Sequence, residues 1–150
     1  DVLFSSNTLL LLKLHPNISE KSHRLNIPKD SVDVSNYGDL YELMISSDML
    51  ITDYSSLMFD YGYLNKPLFL YASDIGDYLK DRGFYFNYYK LPFPITTNTK
   101  ELVSAYNKYD QDLYRKKLKE FYNSVGLKET GHSAKKISDI IVEVCKDDKK

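Results

Sequence analysis

The 150-residue sequence is short of several things, and each shortage excludes a class of protein. A single cysteine, Cys145, leaves no intrachain disulfide framework and suits a reducing compartment. No apolar run approaches the length that spans a bilayer, and no signal peptide is visible. Neither sign of charge dominates: 20 Lys and Arg against 21 Asp and Glu give a net charge of −1 and a pI of 6.3. That balance offers no polybasic footprint for nucleic acid or anionic lipid. G-x-G-x-x-G and Walker A sequences are missing, as are internal repeats, and His15, His23 and His132 are too dispersed to argue for a metal site. The chain opens at Asp1 without a Met, which reads as a piece of a longer polypeptide.

What is there is one domain's worth of ordinary soluble composition, 43% hydrophobic and 27% charged, with 14 tyrosines. Its most informative stretch runs from Ser47 to Asp60. Met49, Leu50 and Ile51 form a short apolar run ending in Thr52 and Asp53, after which Leu57, Tyr61 and Leu64 recur at helical spacing. This change of period predicts a buried parallel strand, a tight turn and a helix, with Ser55 as the helix N-cap. The first amides of such a helix face the carboxyl end of the strand, where α/β sheets collect ligands and a phosphate is favoured. An ordinary capped helix start is the competing reading. Ser56 and Asp60, four apart, share one helical face, and carboxylates repel phosphate, so Asp53 and Asp60 suit ligand hydroxyls or the orientation of donors.

The flanking sequence repeats the pattern. Leu9–Leu14, interrupted by Lys13, reads as a central parallel strand stopped by His15 and Pro16; Asn17 to Ser31 reads as a polar loop. A strand at Val32–Ser35 meets turn residues Asn36, Tyr37 and Gly38, and Asp39 caps a helix carrying Leu40, Leu43 and Met44. Leu68–Tyr71 is the next buried strand. The alternation predicts an α/β fold, a Rossmann-like parallel sheet with flanking helices in which the strands at Leu9–Leu14, Val32–Ser35, Met49–Thr52 and Leu68–Tyr71 are neighbours. Asp74 to Asp81 reads as a helical turn broken by Arg82-Gly83, the aromatics from Phe84 to Tyr89 as packing, and Leu91 to Asn98 as an extended connection. Three helices follow, marked by Leu102, Val103 and Tyr106, by Leu118, Phe121, Tyr122 and Val125, and by Ile137, Ile140, Ile141 and Val144. Cys145, beside Val144 on the apolar face, is expected to be packed inside, and the last residues form a solvated tail.

Lys13-Leu14-His15-Pro16, Val34-Ser35, Ser47-Asp48, Asp53-Tyr54-Ser55-Ser56 and Phe59-Asp60-Tyr61 form an ordered set that resembles the CDP-glycerol glycerophosphotransferase family of teichoic acid polymerases and primases. Lys66-Pro67, Tyr71, Asp74, Arg82-Gly83 and, more weakly, Gly131 extend it over nearly the whole chain. The resemblance implies the second half of a glycosyltransferase-B-like fold. Residues 1–150 would then be a single donor-nucleotide-binding domain, lacking its first strand and the amino-terminal domain, and inactive alone. It further implies transfer of alditol phosphate from CDP-glycerol or CDP-ribitol to a hydroxyl of a lipid-linked polymer, at the cytoplasmic face of the membrane. The acceptor would be held by the missing domain, the longer protein would be peripheral to the membrane, and no metal or other cofactor is implied.

By the same resemblance His15 matches the essential histidine, donating to a phosphate oxygen or moving a proton. Ser55 and Ser56 match the hydroxyls holding the donor diphosphate, Asp53 and Asp60 the acidic positions, and Ser35, Asn36 and Tyr37 lie by a strand end near the nucleotide. Two other readings remain open: a non-catalytic nucleotide-binding module, and a nucleotide-sugar glycosyltransferase domain of the same architecture.

Overall fold

A computed structural model describes residues 7–15 and 31–147. The polar loop expected from Asn17 lies outside the described residues, apart from Ser31. Among the described residues, five short strands appear in chain order, β1 Leu10–Leu12, β2 Ser31–Asp33, β3 Leu50–Thr52, β4 Leu68–Tyr71 and β5 Ile95–Thr96. Six α-helices accompany them there: α1 Leu40–Ser46, α2 Leu57–Gly62, α3 Ile75–Asp81, α4 Thr99–Asn107, α5 Gln111–Ser124 and α6 Ser133–Asp147.

Every strand pair is parallel, as the alternation predicts. The ladder is nonetheless divided among the described residues, with β1 beside β2 in one sheet and β3-β4-β5 in another. The four predicted strands are therefore not one continuous set of neighbours. With three residues each, β1, β2 and β3 offer few ladder groups. The N–H of Leu50 is spent on Pro67, in the direction of β4. β1 is half-buried rather than central, while β4 has Leu68, Phe69 and Leu70 fully buried, as befits a strand covered on both faces.

Where an extended connection is expected, Ile95 and Thr96 pair with Leu70 and Tyr71 as a fifth strand. Pro94 does not prevent it, because this edge needs only its carbonyl, which accepts the Leu70 N–H at 2.8 Å. Buried Thr96 adds a hydroxyl donated to the Leu70 carbonyl at 2.9 Å.

The core gathers around β4. Met44 of α1, Met58 and Tyr61 of α2, and Tyr114 and Leu118 of α5 pack with Leu68 and Leu70 in one buried cluster. Gly62 makes room there: the Tyr122 hydroxyl occupies the space a Cβ would take and donates to the Phe59 carbonyl at 2.9 Å, so a larger residue would have to displace it. Gly83 and Gly126, both at positive φ, follow α3 and α5, where left-handed backbone ends a helix readily.

α6 forms with the predicted period but not the predicted burial. Ile137, Ile140, Ile141 and Val144 are between 56% and 60% exposed, and Cys145 is exposed as well. Helical spacing specifies an apolar face; whether something covers it depends on a neighbour, and among the described residues that face stands open.

Candidate functional site

The predicted site residues fall into two groups at strand ends. The first surrounds the ends of β1 and β2. Ser35 binds the β1 end through its hydroxyl, which accepts the Leu14 N–H at 3.0 Å. Lys13 spans the same gap, its Nζ donating to the carbonyls of Ser35 at 2.9 Å and Tyr37 at 2.8 Å. Ser35 is fixed in turn by its N–H, donated to Asp33 Oδ1 at 2.8 Å. Hydrogen bonds from the Ser35 hydroxyl and N–H hold the Asp33 carboxyl below its ordinary value of 3.8. Tyr37 donates its hydroxyl to Glu42 at 2.6 Å, and that bond is the main reason its own pKa is raised. Exposed His15 and Asn36 complete the group.

The second group follows β3. Asp53 turns its carboxylate back onto the Tyr54 N–H at 2.7 Å, so this acid orients backbone. The helix begins at Leu57 rather than at Ser55. Its first bonds run from Met58 N–H to Ser55 O and from Phe59 N–H to Ser56 O, a tight three-residue opening that draws Ser56 into helical backbone at φ −58°. Ser56 thus stands at the N-cap position without a side-chain cap bond. The capping bond falls to the Ser55 hydroxyl, which accepts the Leu57 N–H at 3.3 Å. Both serines are exposed. Asp60 lies one turn further on, where its charge contributes, after burial, to the raised pKa values of Tyr63 and Tyr122.

The structure therefore joins Ser35 and Tyr37 to the β1 end that carries His15, and Asp53, Ser55 and Ser56 into one turn, with Asp60 in the first turn of the helix that follows. Among the described residues no group of three His, Cys, Asp or Glu side chains could hold a metal ion. Also among them, no helix is long and apolar enough to cross a membrane.

Sequence reading misses four residues that shape these groups. Lys13 carries a signal, being the one charge in an apolar strand run, and Lys13, Tyr54 and Asp74 all stand in the ordered motif set, though without an assigned role. Tyr88 carries none beyond composition. Tyr54 donates its hydroxyl to Asp74 at 2.7 Å, and Tyr88 donates to the Asp53 carbonyl at 3.1 Å, across 20 and 35 residues of chain.

Comparisons with known proteins converge. The model of the family described as CDP-Glycerol:Poly(glycerophosphate) glycerophosphotransferase matches residues 3–143. A teichoic acid poly(glycerol phosphate) polymerase of Staphylococcus epidermidis is 42% identical over 137 residues, 89% of this chain and 19% of that protein. A teichoic acid ribitol-phosphate primase of Bacillus spizizenii is 32% identical over 142 residues, 93% of this chain and 36% of that one. Among solved structures, the wall teichoic acid polymerase TagF in a variant soaked with CDPG superposes with a TM-score of 0.71 at 40% identity. That match covers 93% of this chain and 36% of the TagF chain, so the sequence spans about a third of the solved relative.

Proposed function

The chain belongs to the CDP-Glycerol:Poly(glycerophosphate) glycerophosphotransferase family, and from that premise we propose that it is the donor-binding domain of a CDP-alditol phosphotransferase. The observation that carries the reading is the turn after β3, where Ser55 and Ser56 stand exposed between a parallel strand end and a helix start. A diphosphate placed there meets the two serine hydroxyls, while the amides of Leu57, Met58 and Phe59, already bonded to Ser55 and Ser56, hold the turn that presents them.

In the transfer, an acceptor hydroxyl attacks the phosphorus that bears the alditol. The bond from that phosphorus to the bridging oxygen breaks, CMP leaves with that oxygen, and the hydroxyl proton passes to a base. His15 serves in that proton transfer or donates to a phosphate oxygen. Ser55 and Ser56 hold the diphosphate as charge moves onto CMP. Asp53 and Asp60 orient donors, and Ser35, Asn36 and Tyr37 line the nucleotide side. CDP-glycerol or CDP-ribitol is the donor. The lipid-linked polymer acceptor and peripheral contact with the cytoplasmic face of the membrane belong to the remainder of a longer protein, since a net charge of −1 gives this domain no anionic-lipid footprint.

Replacing His15 with Gln in that longer protein tests the reading. Turnover of CDP-glycerol is expected to fall at least about 100-fold, the usual scale of a lost acid–base group, with a much smaller change in CDP affinity. Turnover within a few-fold of the original would remove His15 from the chemistry.

A further inference from the structure

Asp74 occupies the N-cap position of α3 but makes no side-chain cap bond there. Its carboxylate accepts the Tyr54 hydroxyl at 2.7 Å instead. The Tyr54 ring stacks on Tyr78 with centroids 3.8 Å apart and planes 20° from parallel, and Phe84 and Tyr88 close in at 5.9 and 5.7 Å. Tyr88 is itself buried, stacked on Phe84 at 4.7 Å, with its hydroxyl donated to the Asp53 carbonyl at 3.1 Å. Burial pushes the Tyr54 and Tyr88 hydroxyls up, so both remain protonated donors at neutral pH. Helix α3 and the segment from Phe84 to Tyr88 thus converge on two adjacent residues, and the next two are Ser55 and Ser56.

We propose that Tyr54, Asp74 and Tyr88 form a clamp that fixes the backbone of the Asp53–Ser56 turn, making them positioning residues for the donor diphosphate. Its donor half rests on the reading of Ser55 and Ser56 given above. Ordinary packing would be satisfied by the stacked rings alone. The polar contacts add direction: one holds the Asp53 carbonyl, one holds the Tyr54 ring by its tip, and the carboxylate at the helix start is drawn off its cap to do so. A turn held in this way presents its hydroxyls without an ordering cost at binding. Gly83, at φ +68°, lets the chain turn from α3 into the segment that delivers Phe84 and Tyr88.

The test uses the full 150-residue chain and CDP as probe. Tyr88→Phe keeps the ring and removes the hydroxyl, and Tyr54→Phe severs the Asp74 bond. Both are expected to keep the wild-type far-UV circular dichroism and to move amide NMR shifts from Asp53 to Ser56 without ligand. CDP affinity should fall roughly threefold to tenfold, the worth of one hydrogen bond. Tyr114→Phe is the control, because this buried hydroxyl has no hydrogen-bond partner among the described residues, and it should leave turn shifts and affinity alone. Unchanged turn amides in both test variants, or equal changes in the control, overturn the clamp. A wild-type chain that fails to bind CDP while the turn amides still respond refutes the diphosphate reading and the donor half of this inference, leaving the clamp on the turn.

Discussion

The helix starts of this domain divide into two kinds. At α1, α4 and α5 the N-cap side chain does the usual work: Asp39 accepts the Glu42 N–H, Asn98 the Glu101 N–H, and Asp110 those of both Asp112 and Leu113. At α2 and α3 it does not. Ser56 and Asp74 hold equivalent positions and make no cap bond. At α2 the cap bond passes to the neighbouring Ser55 hydroxyl, which accepts the Leu57 N–H at 3.3 Å, so it is α3 whose N-cap residue forgoes a bond worth about 1 kcal/mol. Ser56, relieved of the cap, is the proposed ligand hydroxyl, and Asp74 holds the clamp, the pattern expected where local stability is traded for a site.

The contrast can be broken most directly at α5. Asp110→Ala removes a carboxylate that accepts two amides at 3.0 and 2.9 Å. It is expected to cost about 1–2 kcal/mol and to lower the melting temperature by several degrees without changing CDP affinity. A loss of CDP affinity as large as that of a site variant would show that capped and uncapped starts are not functionally distinct.

A carboxylate committed to backbone also sits beside the first site group. Asp33 has a lowered pKa in the folded chain, so its ionised form favours folding. That contribution is fully present above the unfolded value and is lost as pH falls through the lower folded value. The Ser35 amide resonance is therefore expected to titrate with a midpoint below the ordinary aspartate value of 3.8. An NMR titration checks this; a midpoint at or above that value would contradict the bond.

Much of the architecture is written locally. Period 3.6 marks α1, α4, α5 and α6, and Asp39 announces its own helix because a cap needs only the next three residues. What depends on distant partners is not. β5 is two residues hidden among prolines, and its reality lies in Leu70 and Tyr71, some 25 residues away. The division into two sheets, and the exposure of Ile137, Ile140 and Cys145, likewise depend on which neighbours exist. At the site, His15, Ser35 and the Asp53–Ser56 run are legible through motif order. The late start of α2 is not, because a three-residue opening bond leaves no trace in periodicity. Neither is the clamp, since an aromatic-rich segment reads equally as packing.

Ser56→Ala has the smallest expected effect on folding and bears most directly on the donor-site claim. With no cap bond to lose, the variant should keep its stability within about 0.5 kcal/mol, as exposed substitutions do. Its CDP affinity, titrated by calorimetry, should fall roughly tenfold, because a hydrogen bond to a charged group is worth about 1.5–3 kcal/mol. In the wild-type chain the CDP-induced amide shifts should cluster at Asp53–Leu57 and around His15. A folded Ser56→Ala chain that binds CDP as tightly as the wild type, or shifts centred away from that turn, would contradict the account.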